Sequence, residues 1–382
     1  MLKIRYLILL ITLASCSSIP DPRFWKSDNV EEDLTEPAKL REFNSEIDVE
    51  LDWVTRFKNE DNSNFFKPAF SAGKIYFSDP SGKVTSLNTS GSTEWEVNTN
   101  RLASGTAAGF GVVVVADVDG NIICIDQTTG EINWISNVKN EVLAATAISA
   151  RSVIVKTSAG ELISLDKNNG ETLWSYRSQN PTLTVRGSSE PVIYENQVFA
   201  TFDNGRLGVF QLDTGFILWD GAISYTEGNS ELENLIDSDA TPVIDGRLIF
   251  TNNYQGNINI FDASQKRSVW TAESSSFYSP IIIRSMMILI QDDSLLKSFS
   301  TNTFMESWSS DEYRNRNLSN GISFKGNIFF GDEEGYIHAI DPLNGKTIGR
   351  KKISKHSIIN LVSRSDKFYV VDENLQLFSL SI

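Results

Sequence analysis

A short pattern recurs along this chain and limits its fold more tightly than any other feature. It runs Gly, five strand-forming residues, Asp or a substitute, three turn residues, Gly, and then Trp four positions later. Four copies are clear. Gly120 leads to Asp126, Gly130 and Trp134; Gly160 to Asp166, Gly170 and Trp174; Gly205 to Gly215 and Trp219; Gly256 to Asp262 and Trp270. Weaker copies run from Gly82 through Asn88 and Gly91 to Trp95, from Ser294 through Phe304 to Trp308, and from Gly335 through Asp341 and Gly345, where Gly349 holds the tryptophan slot. A last copy starts at Asn374 and ends before its tryptophan. Length alone, at 382 residues, would imply two or three domains. Eight starts spaced 38 to 51 residues apart imply instead one ring of repeated blades.

Each position of the repeat has a physical reading. The run between the first Gly and the Asp is alternating or wholly apolar, as in a buried strand. Asp followed by Thr or Asn and then Gly is hairpin chemistry, in which Asp caps the turn and Gly takes positive φ. Further apolar runs precede each unit, such as Val112–Val115, Val153–Val155, Val198–Thr201 and Ile328–Phe330. The expected fold is therefore all-β: an eight-bladed β-propeller with four-stranded antiparallel blades. Trp53, Trp95, Trp134, Trp174, Trp219, Trp270 and Trp308 are read as structural wedges between blades, because a residue repeated this evenly is architecture. Glu50-Leu-Asp-Trp-Val54 looks like an outer strand stranded ahead of the first blade. Pairing with Leu375–Leu380 would let this N-terminal strand complete the eighth blade. Such closure removes the exposed sheet edges of an open ring.

The other end of the chain carries an address. Met1–Ser15 places Lys3 and Arg5 ahead of an apolar run, Leu7–Leu13, which is a secretory signal layout. That run is well short of the roughly 20 residues that span a bilayer. Leu13-Ala-Ser-Cys16 resembles the bacterial lipobox, which implies cleavage before Cys16 and acylation of its thiol and amine. Several acyl chains hold a protein on a membrane where one does not. No Asp follows Cys16, which favours the outer membrane over the inner. The resulting division is a lipoprotein signal peptide at 1–15, a lipid-anchored tether at 16–45 and the propeller at 46–382.

Composition narrows the partners. The net charge is −15, so phosphate backbones repel the chain and nucleic acid is not an expected partner. Two cysteines and two histidines are too few for a disulfide framework and give no metal-ligand spacing. His338, His356 and Cys124 carry no catalytic pattern, and neither a phosphate loop nor a nucleophile elbow is present. The expectation is a protein that is not an enzyme and has no cofactor and no metal.

Deviations from the repeat point to a site. Most distances from a tryptophan slot to the next repeat start are similar, but 30 residues separate Trp174 from Gly205 and 36 separate Trp219 from Gly256. Both insertions join an outer strand to the next inner strand, so they share one face and sit on neighbouring blades. They lead into Leu183-Thr-Val-Arg-Gly187 and Asp237-Ser-Asp-Ala-Thr-Pro242. Insertions on one face of a repeat protein commonly mark its binding side. A basic residue, an apolar pair and two carboxylates would suit a protein partner, and would equally suit an internal salt bridge between the two loops.

The repeat resembles the tryptophan-docking motif of quinoprotein (PQQ) dehydrogenases and their relatives over about residues 46–382. It is more closely similar to the BamB family, lipoprotein subunits of the outer-membrane β-barrel assembly machinery. The segments Leu183-Thr-Val-Arg-Gly-Ser-Ser-Glu-Pro191 and Asp237–Pro242 carry that resemblance. It implies that Leu183, Val185, Arg186, Asp237 and Asp239 contact the periplasmic POTRA domains of BamA. It also implies other subunits of the complex and unfolded outer-membrane proteins as partners. Val185 stands where some members of the family have leucine. Quinone-dependent dehydrogenases share the blade motif, but many carry a vicinal cysteine pair that this chain lacks. A propeller scaffold for another envelope complex is the remaining alternative.

Overall fold

The computed structural model describes residues 36–59, 66–179, 189–223, 240–254 and 256–382. Among them the chain forms eight four-stranded antiparallel sheets and no helix. We letter the strands of each blade a to d, from the ring's centre outward. Seven blades are contiguous in sequence, beginning with Ala69–Ser71, Lys74–Ser78, Lys83–Leu87 and Thr93–Asn98 in blade 1. The eighth takes Ile358–Arg364, Lys367–Asp372 and Gln376–Ser381 from the C-terminus and Glu50–Arg56 from the N-terminus. Glu50 pairs with Ser381 and Arg56 with Gln376, so the expected closure is formed.

Burial follows from position in the stack. Strands b and c lie between neighbouring blades on both faces, so Val112–Ala116 is buried throughout and Asn121–Asp126 is buried at its four central residues. Strand d alternates, as Thr93–Asn98 does, because its edge meets solvent. The apolar core is consequently a series of inter-blade layers. One layer joins Val114, Ile122 and Cys124 of blade 2 to Val153, Val155 and Ile163 of blade 3. Each fully buried aliphatic side chain in such a layer contributes about 1.5–3 kcal/mol.

The tryptophans lie at the same place in each joint. The indole N–H of Trp53 donates to the carbonyl of Thr89 at 3.0 Å, Trp95 to Gln127 at 3.2 Å, and Trp134 to Lys167 at 2.8 Å. Trp174 donates to Leu212 at 2.8 Å and Trp308 to Pro342 at 2.9 Å. Every acceptor sits in the c–d turn of the following blade. There the ring lies on a glycine: a Cβ on Gly91 would stand 2.6 Å from Trp53, and one on Gly215 would stand 2.5 Å from Trp174. Two turns lack that glycine, with Lys266 at φ 54° and Phe304 at φ 58° in its place. Trp270 stacks on Phe304 at 5.7 Å, and Trp219 meets Phe261 at 6.0 Å.

The structure corrects one detail of the repeat. The last copy begins at Leu375, not Asn374. Leu375 has φ 53°, and its N–H donates to the Asp372 carbonyl, as Gly335 N–H does to Asp332. The Asp three residues ahead of the turn residue caps it, which makes Leu375 the counterpart of the glycines. In the sequence this copy has no glycine to mark the place.

Candidate functional site

The topology of a blade decides which loops share a face. Strands a and b join at one end of the blade, b and c at the other. The d strand therefore hands the chain to the next blade at the b–c end. Residues 180–188 leave after Thr172–Arg177 and return before Val192–Tyr194. Residues 224–239 leave after Ile217–Ala222 and return before Val243–Asp245. Both segments therefore connect to the b–c face, at the lead-in to blades 4 and 5. Leu183, Val185 and Arg186 fall in the first segment and Asp237 and Asp239 in the second. All five lie outside the described residues, as does Cys16. The seven tryptophans lie on the d strands, in the joints described above.

What borders the two segments is well defined. Ser178 is buried and accepts from the Asn204 amide at 2.9 Å. Ser189 is buried and takes the Lys156 ammonium at 2.7 Å, while Glu190 N–H donates to Thr241 Oγ1 at 3.1 Å. That last bond ties the residues following one segment directly to those following the other. Glu190 also forms an ion pair with Lys67 of blade 1 at 2.6 Å, across the middle of the ring. Lys67, Glu190, Thr241, Tyr278, Asn320 and Asn360 help line a central cavity of about 790 Å³ at this end of the molecule. The floor of the b–c face is thus partly polar, with Lys67 and Glu190 paired across it and the Glu190 N–H bound to Thr241. At the cavity's edge Tyr254 and Phe277 stack at 4.2 Å, leaving Phe277 substantially exposed.

Sequence reasoning missed the buried turn aspartates of this face. Asp79, Asp117, Asp332 and Asp372 are all at most 1% exposed. Each carboxylate accepts from backbone N–H groups of its own b–c turn: Asp117 from Asp119 and Asn121, and Asp372 from Asn374 and Gln376. Their signal was available, since Asp stands three residues before the repeat start in Asp79-Pro-Ser-Gly82, Asp117-Val-Asp-Gly120 and Asp332-Glu-Glu-Gly335. Four of the eight copies lack it, which hid the period.

The groups weighed for catalysis are occupied structurally. His338 is buried, with its Nε2 proton on Asp332 at 2.9 Å and its Nδ1 accepting from Arg350 Nε at 3.2 Å. Burial pushes the Cys124 thiol up to about 11. His356 Nε2 meets the Asn374 amide at 2.8 Å. Among the described residues no three His, Cys, Asp or Glu side chains converge to hold a metal ion.

Comparison with known proteins places this ring. Residues 80–310 match the family model described as outer membrane protein assembly factor BamB. The BamB of Xanthomonas campestris is 32% identical over 91% of this chain and 89% of its own length. The chain belongs to the BamB family. The BamB of Legionella pneumophila is 29% identical and aligns over the whole of both chains, and that of Escherichia coli K12 is 30% identical over 85% of this chain and 86% of its own. The crystal structure of BamB from Moraxella catarrhalis superposes with a TM-score of 0.81 at 24% identity, covering 87% of this chain and all of that one. A quinohemoprotein alcohol dehydrogenase from Pseudomonas putida shares the fold alone, with a TM-score of 0.60 at 11% identity over 87% of this chain and 76% of its own. These relatives carry the name outer membrane protein assembly factor.

Proposed function

We propose that this chain is a non-catalytic scaffold lipoprotein, anchored in the outer membrane through acylated Cys16 and facing the periplasm. In this reading it binds the POTRA domains of BamA and so assists folding and insertion of β-barrel proteins. Residues 180–188 and 224–239 carry the contact, through Leu183, Val185, Arg186, Asp237 and Asp239. The reading is supported by the strands that both long connections leave and re-enter at the b–c face, on neighbouring blades whose lead-ins are tied through Glu190 and Thr241. A rigid ring suits this work, because a partner's mobile domains lose orientational freedom against a surface that is already ordered.

Two measurements test it. Purification in mild detergent should co-isolate BamA, and intact-mass analysis of the N-terminal peptide should show acylation of Cys16. Co-isolated quinone absorbance without BamA would replace the scaffold with an enzyme. Arg186→Ala should weaken BamA capture by about tenfold or more, as loss of a charge-paired interface residue commonly does, while leaving the melting temperature unchanged. A fall in melting temperature with unchanged capture would mean that Arg186 serves an internal salt bridge instead.

A further inference from the structure

The seventh blade departs from the other seven in the one slot where they agree. Gly349 stands where the others carry tryptophan. The space is filled by the chain's own N-terminal approach. A Cβ on Gly349 would lie 2.9 Å from the Ile47 carbonyl oxygen and 3.2 Å from the Ile47 Cβ. The N–H groups of Glu46 and Ile47 both donate to the Ile348 carbonyl, at 2.8 and 3.0 Å. Val49 is 1% exposed in the layer between blades 7 and 8, among Phe329, Phe368 and Leu380. A tryptophan at position 349 and this path of the chain exclude each other.

The contact extends well beyond that slot. Upstream, Ala38 N–H donates to the Arg314 carbonyl at 2.9 Å, and the Ala38 carbonyl accepts from Arg316 Nη1 at 2.9 Å. The Arg41 carbonyl accepts from Arg350 Nη1 at 3.0 Å. The Arg350 guanidinium lies 4.9 Å from the centre of the Phe43 ring. The Arg41 side chain reaches Asp311 at 3.4 Å. Behind these contacts lies a chain of paired groups. Arg316, only 3% exposed in its side chain, binds Asp332 at 2.7 Å and also pairs with Glu334. Asp332 holds His338, His338 accepts from Arg350, and Arg350 stands 3.6 Å from Glu312. The buried Arg316 and the largely buried Arg350 are thus held from within the blade, each with one donor turned to a main-chain carbonyl of the approach. A buried arginine is costly unless its donors are used, and here residues 38–41 take Nη1 of both Arg316 and Arg350.

We infer that residues 38–47 are a strap docked into a site built for them on blade 7, so that the N-terminal end leaves the ring from one fixed place. The inference rests on the scaffold reading only for its consequence. If Cys16 is the anchor, the chain that separates lipid from ring ends at Ala38, not at the blade-closing strand. At about 3.3–3.6 Å per residue, the 22 steps from Cys16 to Ala38 reach at most about 80 Å. The strap therefore sets both the reach of the ring from the membrane and the side on which it hangs.

Trypsin reads the strap directly, because Lys39 and Arg41 lie within it and the Arg41 side chain is largely exposed. The full-length protein in mild detergent should be cut after Arg41 at least 100-fold more slowly than a synthetic peptide spanning residues 36–48. Phe43→Ala removes the ring beneath Arg350 and alters no residue of blade 7. It should raise the cleavage rate about tenfold and leave the melting temperature of the ring unchanged. Arg350→Gln should raise it further. Cleavage of the unaltered protein at the peptide's rate overturns the strap, and so does a Phe43→Ala protein cut no faster than the parent. If Arg350→Gln fails to fold, Phe43→Ala decides alone. Acylation of Cys16 is read separately from the mass of the N-terminal peptide. Its absence would remove the anchor while leaving the cleavage result standing.

Discussion

Gly215 has φ +67°, and a side chain there would be driven into the Trp174 ring. Two costs then add: about 1–2 kcal/mol for an L-residue held in the left-handed region, and about 1–3 kcal/mol for overpacking. Gly215→Ala should therefore destabilise the protein by roughly 2–5 kcal/mol, read as a lowered denaturant midpoint; a loss under about 0.5 kcal/mol would mean the indole does not need that contact. His338 makes a second prediction. Burial lowers its pKa, with Arg350 and Arg316 adding to the effect and Asp332 opposing it. The folded protein thus keeps the imidazole neutral at pH values where the unfolded chain, with an ordinary value of 6.5, takes up a proton. A form that binds fewer protons loses stability as pH falls, here from about 6.5 downward, by up to about 1.4 kcal/mol per pH unit. Asp332 works lower. Although burial pushes its carboxyl up, the hydrogen bonds from His338, the Tyr336 N–H and Arg316 hold it below 3.8, so its stabilising share is lost only beneath that value. His338→Gln can still donate to Asp332 and accept from Arg350, and should flatten the decline between pH 6.5 and 5 in a series of thermal melts. Cys124 is a smaller case. Its thiol, buried and pushed up to about 11, should react with a thiol reagent only after unfolding.

The four-stranded blade is the element that repeats, and its least visible part is a bulge. In every blade the register shifts by one residue beside the tryptophan slot, as between Ser86 and Leu87 or between Val209 and Phe210. The extra residue is always the one before the slot: Glu94, Leu218, Ile348 in blade 7 and Asp52 in blade 8. A bulge re-aims the next side chain, which turns the indole toward the following blade. Two bulged residues have gained local tasks. The Ile348 carbonyl takes the strap, and Asp52 receives Lys367 at 2.8 Å together with Ser379 and Ser381. The c–d turns explain the degenerate copies. Lys266 holds a left-handed conformation at φ 54° that glycine adopts freely. Lys266→Gly should raise stability by about 0.5–1 kcal/mol, the strain relieved less the added freedom of the unfolded chain. A destabilised variant would mean the lysine side chain makes a contact worth more than the strain.

At the scale of the ring, everything depends on the seam. Blade 8 draws three strands from one end of the chain and one from the other, and the Trp53 indole then bonds to Thr89 of blade 1. Ending the chain after Val370 removes Gln376–Ser381, the only partner of Glu50–Arg56 within that sheet. It also leaves Trp53 without a strand to carry it. Such a chain should lose cooperative folding altogether, whereas a solenoid would lose one repeat's worth of stability. A single sharp melt from the truncated chain would overturn the closure.

The fold was legible because its determinants are local and repeated. A turn glycine, a capping aspartate and a tryptophan at constant spacing each act within one hairpin, and eight copies reinforce one another in the sequence. The side of the ring carrying the long connections was equally legible, since strand alternation alone decides which loops share a face. Three things had to wait for the tertiary structure. One is the place of Leu375, where a leucine occupies a glycine's conformation because Asp372 and the sheet on either side hold it there. Another is the bond between Glu190 and Thr241 that unites the two lead-ins, formed by residues 51 positions apart. The third is residues 38–45, which read as tether because they have no period of their own. They are fixed by groups more than 260 residues away, Arg314, Arg316 and Arg350. A segment that borrows its order from the far end of the chain leaves no pattern in its own sequence; the only trace of it was the missing tryptophan at Gly349.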